Sequence, residues 1–301
     1  MTRPHRTAPL FAFFIGTLGI ATFAAMDAVM KALVLAIGAY ATMLWRNLIG
    51  IFLSGALYLP WRDGWPTRST LRIHVERGLL STVMGFLFFW GIGRVPLAQA
   101  VALAFIAPLI ALYLASVLLH ERVGPRTIAA SLVAFAGVLV IFFGQAKADL
   151  GREATIGSLA ILASAVCYAL NIIMMPRQAS LAGPAEIAFF QSVTVTASLA
   201  ALVPFLGVEL PPLEQLPPLM LAAVLAIAST LLLSWAYARA EASYLAATEY
   251  TAFLWAMLFG WLIFGETVSP YTLAGAVLIV VGCVLAARKP SEASPVLEAA
   301  T

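Results

Sequence analysis

Charge is scarce in this chain. Aspartate, glutamate, lysine and arginine together make up 10% of its 301 residues, where water-soluble domains carry about 25%. A soluble fold of this size needs that charge to cover its surface, whereas a surface facing lipid must be apolar. The shortage therefore argues against a soluble domain, and 62% of the residues are hydrophobic. The net charge of +3 sits mostly in short connections. Basic residues are not interleaved with aromatics as they are in single-strand binders, so nucleic acid is not an expected partner. Cysteine is nearly absent: Cys167 and Cys283 lie in apolar runs with no second thiol or histidine at metal-ligand spacing, and read as inert buried thiols. No metal or cofactor is expected. The chain also lacks a glycine-rich loop ending in Gly-Lys-Ser/Thr, a His-Glu-x-x-His and a Gly-x-Ser-x-Gly. Those absences remove ATP-driven transport by this chain alone and leave an intramembrane enzyme without a motif.

What is present is a succession of apolar runs. The basic start and apolar stretch at residues 1–27 have the outline of a signal peptide, but the run is as long as a full span and others follow it; it reads as a first span that is kept. A bilayer core takes about 20 apolar residues per helix. That length predicts ten spans, at 9–30, 39–60, 72–93, 97–119, 126–144, 155–175, 185–206, 217–238, 243–264 and 271–288. Orientation follows from lysine and arginine in short loops, which are in excess on the cytoplasmic side. With the N-terminus inside, that side holds eleven (Arg3, Arg6, Arg62, Arg68, Arg72, Arg122, Arg126, Arg177, Arg239, Arg288 and Lys289) against four outside (Lys31, Arg94, Lys147 and Arg152). Both termini are predicted cytoplasmic.

The sequence also matches itself. An offset of 145 residues places Trp90 on Trp235, Arg94 on Arg239, Glu121 on Glu266, Pro125 on Pro270 and Gly137 on Gly282 without a gap. Five spans per copy is an odd number, so the second copy enters the membrane from the opposite side. The expected fold is an all-α membrane protein of ten transmembrane helices arranged as two inverted-topology five-helix repeats, 1–145 and 146–290, followed by a disordered cytoplasmic tail at 291–301. In transporters built this way the substrate site lies near the midplane between the repeats. The repeated Glu-x-x-x-Pro reads locally as a helix turnaround, with Ser269 as cap and Pro270 in the first helical position.

Two five-helix halves, each carrying Gly/His-Glu-x-x-x-Pro before a last helix with a small-residue face (GAVLIVVGCVLAA at 275–287), resemble the EamA family of the drug/metabolite transporter superfamily. The resemblance covers residues 9 to 288 and is closest in kind to bacterial exporters of aromatic or hydrophobic amino acids. It implies an inner-membrane carrier working by alternating access, with small metabolites as substrates and the lipid bilayer as surroundings.

Ionisable groups inside a membrane are costly and mark function by default. Asp27 and Lys31 are one turn apart and can pair locally. Arg46 lies too deep in span two to reach the interface and needs a carboxylate, from Asp27 or Glu249; the offset places it on Gln191, so that site is polar in both copies. Asp27, Arg46 and Gln191 are candidates for gating or charge pairing. His74, Glu76 and Arg77 are expected at headgroup level. Glu249, well inside span nine, is the strongest single candidate, either for binding a substrate ammonium or for titrating a proton. Tyr168, Asn171, Tyr237, Tyr250, Trp90 and Trp235 complete the expected substrate site, the rings stacking on an apolar substrate while Asn171 and Glu249 fix its polar end. Helix packing and interface anchoring are the alternative for each ring. Drug-like cations remain an alternative cargo, and a channel or a non-transporting scaffold remains a third class.

Overall fold

The computed structural model describes residues 9–62, 64–118, 125–147, 151–239, 245 and 248–287, and among these no strand occurs. The first half comprises α1 (Pro9–Ile37), α2 (Ala39–Tyr58), α3 (Arg68–Ile92), α4 (Leu97–Ala104), α5 (Ala107–Leu118) and α6 (Pro125–Lys147). The second comprises α7 (Gly151–Ala179), α8 (Pro184–Ala200), the short α9 (Val203–Leu206), α10 (Leu216–Tyr237), α11 (Thr251–Phe264) and α12 (Pro270–Ala287). We call the face where α1 starts proximal and the face where it ends distal.

Local chemistry sets these boundaries. Gly38 alone separates α1 from α2, at φ 79°, a conformation that side-chain-bearing residues avoid. Thr67 caps α3, its hydroxyl accepting from the Thr70 amide at 3.3 Å. Ser269 caps α12 in the same way, accepting from the Thr272 amide at 3.0 Å, with Pro270 leading the helix as expected. Glu121, the first copy of that turnaround, lies outside the described residues.

Among the described residues five helices are long and apolar enough to cross a membrane: Leu10–Ile37, Ala39–Trp61, Arg68–Ile92, Gly151–Ala179 and Leu213–Tyr237. Shorter apolar stretches run Leu97–Ala111, which spans α4 and the start of α5, Ser131–Gly144, Thr251–Phe264 and Pro270–Gly282. The expected span 97–119 is not one helix. It breaks at Phe105–Ile106 because Pro108 has no amide hydrogen and is accommodated only in a first helical turn, which α5 supplies. Span one is longer than expected and carries Lys31 inside α1, 4% exposed, so Lys31 is not a loop cation; without it the distal side holds three of the four basic residues assigned there.

Packing between the halves is reciprocal. α1 lies against α10 as α3 lies against α7, while α2 packs on α8 and α6 on α12. These are the pairs that a twofold exchanging the halves produces. At α6 and α12 the backbones touch: a Cβ on Gly137 would come within 2.6 Å of the Gly275 carbonyl oxygen, the close approach that small residues permit in membranes. Met30, Leu33, Met43, Ile92, Leu103 and Ile279 are fully buried in the shared core, whereas Phe14, Leu35, Phe52, Leu132, Phe143 and Leu262 stand outward. Apolar groups both inside and outside suit a protein surrounded by lipid rather than water.

Candidate functional site

The break in span four has a counterpart. Tyr250 is a turn residue immediately before α11, and it is the 145-residue equivalent of Phe105. The two rings meet edge to face, their centroids 5.9 Å apart at 84°. Breaks at membrane depth leave backbone groups to be satisfied elsewhere, and occur where the chain lines a protein-enclosed or watered space. Glu249 sits beside this break. It is exposed rather than buried, and one of its oxygens accepts from the Tyr237 hydroxyl at 2.7 Å. Tyr168 on α7 lies in the fields of both Glu249 and Arg77, and Tyr237 on α10 lies in that of Tyr168. Tyr168 is 44% exposed. Of the expected substrate residues, the structure brings Tyr168, Tyr237 and Glu249 together, with Tyr250 next to Glu249 in the chain.

Arg77 and His74, expected at headgroup level, are buried within the protein, 9% and 1% exposed, because the face of α3 that carries them packs on α7 and α8 while Glu76 on the other face pairs with Arg72 at 2.7 Å. A continuous polar chain fills this contact. Arg77 donates to Asn171 Oδ1 from Nε at 3.1 Å and also from Nη2, and to Gln178 Oε1. Asn171 passes its amide hydrogen to Ser81 Oγ at 2.9 Å. Arginine can only donate, which fixes both amides with oxygen toward Arg77. The Gln178 amide nitrogen must then donate to His74 Nδ1 at 2.7 Å, leaving the His74 hydrogen on Nε2, directed at Glu186 Oε1 at 3.0 Å. The tautomer is thus assigned by the network. His74 also stacks on Phe190, centroids 4.8 Å apart. Ser81, Gln178 and Glu186 were not singled out in the sequence; the signal was the seven-residue spacing of Asn171 and Gln178, which puts two amides on one face of α7.

On the distal side Lys31 does not pair with Asp27. It forms an ion pair with Glu266 and donates to the Val95 carbonyl at 2.6 Å. The other Glu266 oxygen accepts from the Leu97 amide at 2.7 Å, capping the start of α4. One carboxylate from the second half therefore ties together α1 and α4 of the first. Asp27 is left 3% exposed, its Oδ1 without a hydrogen-bond partner, in the field of Arg46. Arg46 makes no direct ion pair with it among the described residues; it donates to Asn47 Oδ1 at 3.3 Å and lies over the Phe89 ring, 5.8 Å from its centroid. Gln191 is half-buried on α8.

Trp90 and Trp235 each carry a stacked arginine. Arg94 stacks on Trp90 at 3.4 Å and donates to its carbonyl at 3.0 Å; Arg239 stacks on Trp235 at 4.2 Å and donates to its carbonyl at 3.2 Å. The duplication is visible here in geometry, one stack near the distal end of α3 and the other near the proximal end of α10. Trp90 and Arg94 line a distal cavity of about 720 Å³ with Tyr40, Trp45 and Glu209. A proximal recess of about 480 Å³ is lined by Tyr58, Trp65, Thr70 and Glu186. Among the described residues no group of histidine, cysteine and carboxylate side chains could hold a metal ion.

Comparison with known proteins agrees with this architecture. The EamA-like transporter family matches residues 10–143 and again 155–288. The pseudopaline exporter CntI of Pseudomonas aeruginosa is 25% identical over 276 residues, covering 91% of this chain and 95% of that protein. A riboflavin transporter of Rhizobium johnstonii is 28% identical over 223 residues, covering 74% of this chain and 68% of that one. One solved crystal structure superposes with a TM-score of 0.58 at 21% identity, over 94% of this chain and 98% of the other, a likeness of fold.

Proposed function

Since the chain belongs to the EamA-like transporter family, we propose that it is a secondary carrier of the bacterial inner membrane that exports small amphipathic metabolites, chiefly amino acids with aromatic or hydrophobic side chains, by alternating access. The repeats are 1–145 and 146–290, inverted relative to each other, and the proximal face is cytoplasmic. A cysteine placed in 1–8 or 290–301 should then stay unreactive toward a membrane-impermeant reagent in intact cells; labelling from outside would reverse the orientation.

The observation that carries this reading is the meeting of two interrupted spans at Phe105 and Tyr250, with Glu249 beside the junction and two tyrosines around it. Discontinuous helices at a repeat interface are where carriers of this kind place substrate. Exposed rings offer stacking to an apolar side chain, and an exposed carboxylate offers a charged acceptor to an ammonium. Relatives named as an exporter and as a riboflavin transporter support a metabolite cargo and not catalysis. Arg46, Asp27 and Gln191 line the α1–α2–α8 side and serve in gating; Trp90 and Trp235 stand near the two mouths. A cationic drug-like amine is the second reading, favoured by Glu249 among aromatic rings.

The test is counterflow of labelled phenylalanine in proteoliposomes, competed by a panel of amino acids and by hydrophobic amines. Saturable counterflow inhibited by amino acids supports the first reading, and inhibition by amines alone the second. No counterflow with any of them would sink both.

A further inference from the structure

The charges of the membrane interior are not all balanced. A guanidinium keeps its proton in proteins, and an ionised group at membrane depth is costly unless paired. Lys31 has Glu266, and Arg46 lies in the field of Asp27. Arg77, 9% exposed, has no carboxylate at ion-pair distance among the described residues. Glu186 is engaged by His74. The acceptors of Arg77 are the neutral oxygens of Asn171 and Gln178, which hold the fork in one orientation without cancelling its charge. Asn171 is in turn held by Ser81, and Gln178 by His74. Such a socket positions a cation and leaves it electrically unsatisfied. The opposite charge, Glu249, shares Tyr168 with it as a neighbour, and the Tyr168 side chain is partly exposed.

We propose that Arg77 binds the carboxylate of the substrate, Glu249 its ammonium, and that Tyr168 and Tyr237 flank the apolar part between them, so that the site is built for a zwitterion. This rests on the carrier reading above and narrows its cargo to molecules bearing both charges. Asn171 and Gln178 act as positioning residues. An arginine–carboxylate contact is charge-assisted, so its loss should weaken binding of an acid about tenfold to a hundredfold and leave a ligand without a carboxylate unaffected.

Four probes separate the two ends of the site when their binding to the purified protein is measured by calorimetry: phenylalanine, phenylalanine methyl ester and phenylethylamine, which lack the free carboxylate, and 3-phenylpropionate, which lacks the ammonium. In the parent, phenylalanine should bind at least about tenfold more tightly than its ester. Arg77→Gln should lose phenylalanine and 3-phenylpropionate to that extent while keeping phenylethylamine. Glu249→Gln should do the reverse, keeping 3-phenylpropionate and losing phenylethylamine. Arg77→Lys, which retains the charge without the fork, should recover part of the 3-phenylpropionate binding. The proposal is overturned if the parent binds ester and acid equally, a result that needs no variant to fold, if 3-phenylpropionate does not bind the parent, or if Arg77→Gln weakens all four probes alike. Phenylalanine counterflow by the parent tests the carrier reading separately: its absence sinks that reading, whereas equal binding of ester and acid with counterflow intact sinks only the role of Arg77.

Discussion

Lys31 and Arg77 are both cations inside membrane-spanning helices, 4% and 9% exposed, and the protein handles them in opposite ways. Lys31 has a carboxylate from the other half of the chain, and that carboxylate also caps α4. Among the described residues Arg77 has only amide oxygens. A buried charge matched by a hydrogen-bonded opposite charge holds elements together, and removing one partner leaves the other stranded. A buried charge held only by dipoles contributes little as a tie and has its field available for something that arrives. The distal region is accordingly read as a junction between the halves, and the α3–α7 region as part of the binding site.

The largest expected effect breaks the distal member of this comparison. Glu266→Ala strands the Lys31 ammonium and the Leu97 amide, and should lower stability by about 3–5 kcal/mol, measured as thermal unfolding in detergent. The double change Lys31→Met with Glu266→Gln should recover most of that loss. Arg77→Gln, by contrast, removes a charge with no carboxylate partner among the described residues and leaves the buried oxygens of Asn171 and Gln178 to repartner, at about 1–3 kcal/mol; a loss as large as that of Glu266→Ala would erase the distinction.

A middle-sized effect sharpens it. His74→Ala leaves Glu186 and the Gln178 amide without a partner, at about 1–3 kcal/mol, and frees Gln178 to turn away from Arg77. Substrate affinity should fall together with stability, whereas unchanged affinity would mean that the amide socket does not depend on His74. The smallest effects belong to the two repeat-related stacks. Trp90→Leu and Trp235→Leu each remove one arginine–indole contact, worth about 0.5–1 kcal/mol at an exposed site, and the two losses should be similar in unfolding measurements. A large disparity would show that the stacks are equivalent in sequence only.

Much of the fold is legible in the sequence, since apolar length and punctuation are local properties. The 145-residue self-match anticipates the reciprocal packing of the halves and the two Trp–Arg stacks. Pro108 carried the signal for the break in span four, but it stands in an otherwise unbroken apolar run, where length alone suggests one helix. The site is less legible because its defining contacts are long-range. Glu266 reads as a turnaround residue, and its partner Lys31 is 235 positions away; no local pattern announces that pairing. Asp27 four residues before Lys31 offered a plausible local partner, and tertiary geometry chose otherwise. Arg77 follows a cytoplasmic loop closely enough to look interfacial. Only the packing of α3 on α7 turns its face inward, and the hint lay in Asn171 and Gln178, whose value depends on what α7 touches. Tyr168, Tyr237 and Glu249 group in the sequence by adjacency of spans and polarity at depth; Tyr237 and Glu249 bond between neighbouring spans, whereas Tyr168 comes near them only through the fold.

Glu249 offers the most direct test of the carrier account. Exchange for glutamine keeps its volume and some hydrogen bonding while removing charge, so counterflow of labelled phenylalanine by the parent and by Glu249→Gln, at matched amounts of folded reconstituted protein, isolates the charge itself. The account predicts saturable counterflow in the parent and a fall of about tenfold to a hundredfold in the variant, with unchanged unfolding and with Glu214→Gln in the distal connection behaving as the parent. Absence of saturable counterflow in the parent would contradict the carrier account, and equal rates and affinities for parent and Glu249→Gln would remove Glu249 from the site.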